Sequence, residues 1–228
     1  MLKDQPRLRR SILIGTPLLT GILLLFHPLP DSTELGMTEL PKGLTLYELM
    51  APIADGFLVV HMLFPLALAL LGLSVILLLD GVRGIPANVS RASAFVFVLS
   101  YTLYETIIGT VTGLLVRGAA SLTPAEQSAI GDAIYRNYTD PLLGDLPSVL
   151  SLTAWLSWLV AVVLAAFALR RSGKPLGACI LLGISFVFIS HASMLGPLGM
   201  LFFLFAAVGI ERARSPVPTG GYETAPIS

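Results

Sequence analysis

The sequence predicts an all-α, polytopic integral membrane protein: a six-transmembrane-helix bundle with short helices on its outer face. Three observations predict it. Charged residues make up only 12% of the 228-residue chain, about half of the roughly 25% usual in soluble domains. The apolar residues fall in separate runs long enough to cross a bilayer, whose ~30 Å hydrocarbon core takes ~20 helical residues at ~1.5 Å each. Basic residues collect on alternate connections between those runs, the pattern that orients a multi-span protein.

The first run, 11–29, follows a basic segment containing Arg7, Arg9 and Arg10. A signal peptide begins the same way, but no small-x-small cleavage pattern follows at His27-Pro28-Leu29-Pro30, so the run is read as an uncleaved helix. In the outer segment 30–56, Leu44-Thr45-Leu46-Tyr47-Glu48-Leu49-Met50 is a short amphipathic pattern suited to the membrane surface. The second run is 57–79 and the third 92–116. After the third, Thr123-Pro124-Ala125-Glu126 reads as an N-cap, a first-turn proline and a capping-box glutamate. It predicts a surface helix over 124–138. The fourth run is 147–169.

The next 36 residues, 175–210, are too many for one span and just enough for two. Gly196, Pro197 and Gly199 punctuate them, and proline breaks the helical ladder. Spans at 175–193 and 197–211 joined by a tight turn are expected, with a single kinked helix or a re-entrant pair as the alternative. Residues 1–214 thus form one six-span domain. The segment 215–228, rich in proline, glycine and threonine, is expected to be a disordered tail. With the N-terminus inside, eleven of the 14 lysines and arginines fall on inner segments. This predicts the cell inner (cytoplasmic) membrane as location, with both termini cytoplasmic.

Several functions are excluded. Net charge is zero, so no basic excess exists for nucleic acid. The single cysteine, Cys179, precludes an internal disulfide or a multi-thiolate zinc site. No phosphate-binding Gly-x-x-x-x-Gly-Lys-Ser/Thr loop occurs, so this chain carries no nucleotide-binding domain. Neither His-Glu-x-x-His nor Gly-x-Ser-x-Gly occurs, no residue is assigned as catalytic, and a carrier is favoured over an enzyme.

What remains are ionisable residues inside apolar runs, where each is costly and therefore informative. Glu105 is the fourteenth residue of the 25-residue third run, and no lysine or arginine lies within any run to pair with it. Tyr101, Thr102, Gly109 and Thr112 lie three, four or seven residues away, giving a polar stripe on one helix face. The neutral acid is cheaper to bury than the carboxylate, and it can donate a hydrogen bond or release its proton when a cavity wets. His61 sits about one turn inside the second run, four residues before Pro65, whose ring leaves the His61 carbonyl without its helical partner. His27 and His191 end the first and fifth runs on the same outer side. Gly109 and Gly113 form a Gly-x-x-x-Gly pattern for close helix approach. Trp155 and Trp158 read as interfacial anchors.

Three functions fit these residues. The first is a small transporter or proton-linked carrier, with Glu105, His61, Tyr101, Thr102 and Thr112 in a substrate or proton pathway. The second is a metal- or haem-binding protein using His27, His61, His191 and Glu105, because imidazoles and a carboxylate suit zinc, copper or iron. The third is an accessory subunit whose outer loops bind a partner membrane protein or a second copy. The bilayer is the one partner common to all three. The histidines lie on different helices, so spacing cannot test the metal set, and the cofactor stays open.

Overall fold

The computed structural model describes residues 5–27, 45–145, 147–190 and 193–214. These form helices joined by turns, with no strand among the described residues. In chain order come α1 (Pro6–Leu25), α2 (Leu46–Met50), α3 (Ala54–Leu78), α4 (Ile85–Tyr104), α5 (Thr112–Gly118), α6 (Pro124–Tyr138), α7 (Val149–Arg171), α8 (Leu176–Ile184) and α9 (Leu195–Arg212). A π-helical segment, Glu105–Val111, joins α4 to α5, and a 3-10 segment, Ser185–Ile189, extends α8. The tail 215–228 and most of the connection after α1 lie outside the described residues.

Five apolar helical stretches are long enough to cross a membrane: α1, α2–α3, α4–α5, α7 and α9. The fifth of the six expected spans is shorter, Leu176–Ile189. At ~1.5 Å per α residue and ~2.0 Å per 3-10 residue it reaches roughly 24 Å, short of a ~30 Å core. The 3-10 turn begins where the Ser185 hydroxyl donates to the Leu182 carbonyl at 2.6 Å. It lays the Phe188 backbone directly on Gly199 of α9, where no Cβ would fit. The six-helix count is therefore approximate: five full-length stretches and one short one.

The apolar segments form a ring in which α1 packs on α3, α3 on α4, α4 on α7, α7 on α8, α8 on α9, and α9 back on α1. Each segment but the closing pair touches its neighbour in sequence, as short connections favour. The middle of the ring is filled. Trp158 is fully buried, with its ring centroid 4.6 Å from Phe97, 5.7 Å from Phe188 and 6.0 Å from Phe203. Trp158 is thus a core residue, not the interfacial anchor its place in the run suggested. Its four-ring cluster closes the bundle at mid-height, because α4, α7, α9 and the 3-10 segment after α8 all turn aromatic side chains inward there.

At the end where α1 begins, hereafter the basic end, three arginines cover the last carbonyls of α3. Arg9 donates to Leu77 O at 2.5 Å and to Glu211 Oε1 at 3.0 Å, and is 6% exposed. Arg91 donates to Leu79 O at 2.7 Å, and Arg214 to Leu78 O at 3.2 Å. A helix C-terminus has unpaired carbonyls and partial negative charge, and the guanidinium groups satisfy both. The glycines between α3 and α4 permit the reversal, with φ of 81° at Gly81 and 109° at Gly84.

The opposite end, the loop end, carries α2 and α6 packed on each other. Both begin with capping boxes. Thr45 Oγ1 accepts from Glu48 N while Glu48 Oε2 accepts from Thr45 N at 2.7 Å. Thr123 and Glu126 do the same, with Thr123 N donating to Glu126 Oε2 at 2.8 Å. These hydrogen bonds hold both glutamates below the usual carboxylate range. The surface helix read at 124–138 is α6.

Candidate functional site

The polar residues inside the apolar helices gather towards the loop end, between α1, α3 and the α4–α5 rod. Gly109 and Gly113 make this possible. A Cβ at Gly109 would overlap the His61 ring, and one at Gly113 would lie 2.9 Å from Leu58 Cβ. The Gly-x-x-x-Gly pattern thus seats α3 against the rod at His61.

The rod also needs its π segment. Its buried residues include Tyr101, Glu105, Gly109 and Gly113 at intervals of four. In an α-helix each such step drifts about 40° around the axis. The wider i→i+5 turn of Glu105–Val111 offsets that drift and keeps Glu105, Gly109 and Gly113 facing α3. Its irregular carbonyls are served from α6: Tyr138 Oη donates to Ile108 O at 3.1 Å, and Asn137 Nδ2 to Ile107 O at 3.4 Å. Burial pushes the Tyr138 phenol up, so it remains a donor.

His61 Nε2 lies 3.4 Å from Glu105 Oε2, with the two side chains 4% and 1% exposed. His61 Nδ1 lies 2.7 Å from Phe57 O. A carbonyl can only accept, so Nδ1 carries a proton and donates it. Nε2 of the neutral ring then carries the lone pair, 3.4 Å from Glu105 Oε2. The carboxyl must supply the proton between them, or the ring must hold it as imidazolium beside a carboxylate. One proton therefore has two resting places 3.4 Å apart, both out of water.

The surroundings extend this pair. The His27 ring stands edge-on to His61 with centroids 5.0 Å apart. The Tyr101 side chain lies beside the Glu105 carboxyl. Tyr104 lies parallel to Tyr101, centroids 5.6 Å apart, and donates to Asp145 Oδ1 at 2.7 Å. Asp145 is half-buried, in the connection between α6 and α7. From Arg91 at the basic end, Glu105 is 14 residues along the rod, or about 21 Å at ~1.5 Å each, within the depth of a ~30 Å core.

The structure brings Tyr101, His61 and His27 to Glu105. Thr112 lies beside Tyr138 instead, on the α6 side of the rod. Thr102 is half-buried and its carbonyl accepts from Thr106. His191, the fourth residue of the proposed metal set, lies outside the described residues. Among the described residues, no group of three His, Cys, Asp or Glu side chains is arranged to hold a metal ion. Sequence reasoning missed Tyr104 and Asp145. Tyr104 reads as one more aromatic in an apolar run, and Asp145 as an ordinary loop acid 40 residues away. Nearer the mouth, an open cavity of about 190 Å³ is lined by Tyr47, Asp55, Val116 and Arg117. Asp55 and Arg117 pair across it at 3.8 Å, both well exposed.

Compared with protein-family models, curated proteins and solved structures, the chain matches none.

Proposed function

We propose that this protein is a small membrane carrier whose transport cycle takes up and releases a proton at Glu105 and His61. One observation carries the reading: a wholly buried carboxyl lies 3.4 Å from an imidazole nitrogen whose ring donates its other nitrogen's proton to a backbone carbonyl. A carboxyl kept only to join two helices is replaceable by a serine or an amide at lower cost. A carboxyl–imidazole pair can change its net charge, which is what proton coupling requires. The aromatic cluster around Trp158 and the Arg9–Glu211 ion pair close the basic end, so the pair faces the loop end. The excess of basic residues at the closed end supports a cytoplasmic location for that end, with the loops outside.

The test is infrared spectroscopy of the protein in liposomes, wild type against Glu105→Gln. The expected result is a carboxyl C=O band that disappears in the variant, shifts in D2O and follows bulk pH. A Glu105 carboxyl blind to both D2O and pH would reduce the pair to a structural contact and end the carrier reading.

A further inference from the structure

We infer that the open cavity at the loop end is where this carrier takes its substrate, and that the substrate is a small zwitterion of the amino-acid class, with an ammonium and a carboxylate on neighbouring atoms. The inference rests on the carrier reading of the Glu105–His61 pair and adds the place and the chemical class of the cargo. The cavity of about 190 Å³ lies between the start of α3 and the end of α5. It is smaller than the ~300–1,000 Å³ of pockets that hold drug-sized ligands, so its occupant is small.

Three polar side chains line it: Asp55, Arg117 and Tyr47. Alanines and a glycine make up much of the rest and offer no competing side-chain polar group. Asp55 Oδ1 and Arg117 Nε stand 3.8 Å apart, beyond the ~2.7–3.2 Å of a hydrogen bond. Opposite charges thus face each other with their hydrogen-bonding capacity unspent. Tyr47 is only 8% exposed, and its hydroxyl makes no hydrogen bond among the described residues. An exposed ion pair is worth little, so a ligand displaces this one at low cost. A ligand with one charge meets one partner and one like charge at the same short range. A zwitterion meets two partners and leaves the cavity neutral. The guanidinium fork takes the carboxylate in two parallel N–H···O bonds, and Asp55 accepts from the ammonium. Arg117 stands out in its setting, because the loop end carries six acids and two arginines among the described residues. Such a face draws ammonium groups and repels carboxylates, and Arg117 gives a carboxylate a place to dock.

The cavity also lies on the line to the proton site. Asp55 is six residues before His61 on α3, roughly 9 Å along the axis. Between them Leu58 closes against Gly113. A ligand seated on Asp55 and Arg117 thus waits one side-chain contact away from the pair whose charge the cycle changes.

The experiment is thermal unfolding of the purified protein with increasing glycine or L-alanine, against methylamine and acetate, which each carry one of the two charges. Glycine or L-alanine is expected to raise the unfolding temperature saturably. Methylamine and acetate, singly or mixed at the same concentration, are expected to leave it unchanged. Asp55 and Arg117 are exposed, so Asp55→Asn and Arg117→Gln should fold as the wild type does while raising the half-saturating concentration at least tenfold. Exchanging the pair, Asp55→Arg with Arg117→Asp, should restore binding. No shift with either amino acid, an equal shift with methylamine or acetate alone, or undiminished binding in Asp55→Asn overturns the inference and leaves the carrier reading intact. Saturable binding beside a Glu105 carboxyl that ignores pH keeps the zwitterion site and ends the carrier reading.

Discussion

Gly109 is where a single methyl group tests the site. A Cβ there would overlap the His61 imidazole, so Gly109→Ala must push α3 off the rod or turn His61 away from Glu105. Overpacking of this kind costs about 1–3 kcal/mol, and thermal unfolding in detergent should register it. Gly177→Ala, where nothing lies within 4 Å, should stay within about 0.5 kcal/mol of wild type. Glu105→Gln retains a donor for His61 Nε2 and should unfold close to the wild-type temperature while losing its exchangeable proton. Glu105 and His61 were legible in the sequence because an ionisable side chain in an apolar run is costly enough to demand a reason. Tyr104 was not, because a tyrosine is at home in a span whether its hydroxyl is used or idle.

Among the elements, α6 shows what local chemistry decides. Its N-cap, first-turn proline and capping-box glutamate set its start without tertiary help. Thr123→Ala should weaken its first turn by about 1 kcal/mol, read as faster amide exchange over the first residues of α6. The same turn should depend on pH. The Glu126 pKa is lowered in the folded helix by its bonds to Thr123. Its stabilising contribution is therefore complete above the ordinary carboxylate value and is lost as pH falls through the lowered one. Exchange protection at α6 should drop on acidification, and Thr123→Ala should flatten that dependence. The π segment is the opposite case. Nothing in Glu105–Val111 announces an i→i+5 turn; it exists because Gly109 and Gly113 must both face α3 while α6 supplies donors to the carbonyls. The shortening of α8 likewise follows from the fit of Phe188 onto Gly199, a contact between two segments.

At the scale of the whole molecule, Arg9 ties the ring closed. It joins α1 to the end of α3 and to Glu211 on α9, almost without exposure. Arg214 also pairs with Glu211 at 3.0 Å, so loss of Arg9 leaves that carboxylate one partner and costs the arginine's own buried bonds to Leu77 O and Glu211, about 1.5–3 kcal/mol for a charged group. Arg9→Ala should lower the unfolding temperature far more than Arg7→Ala, whose side chain is exposed. Orientation can be checked in a Cys179→Ser background. A cysteine at Ser172, beside the basic end of α7, should react with a membrane-impermeant maleimide only from the cytoplasmic side. One at Ser121, at the loop end, should react only from the other.

The all-helical class and rough extent of the apolar helices, the surface helix α6 and the two costly residues Glu105 and His61 follow from sequence alone. Each depends on a local property: run length against bilayer thickness, cap geometry, or the cost of a polar group in hydrocarbon. The closing of the ring by α1 on α9, the burial of Trp158, the π turn and the Tyr104–Asp145 hydrogen bond belong to the tertiary structure. They are decided by which helix faces meet. Apolar runs are nearly alike on every face, so in hydrocarbon the choice falls to small residues such as Gly109, Gly113 and Gly199, whose partners only the assembled bundle brings within reach.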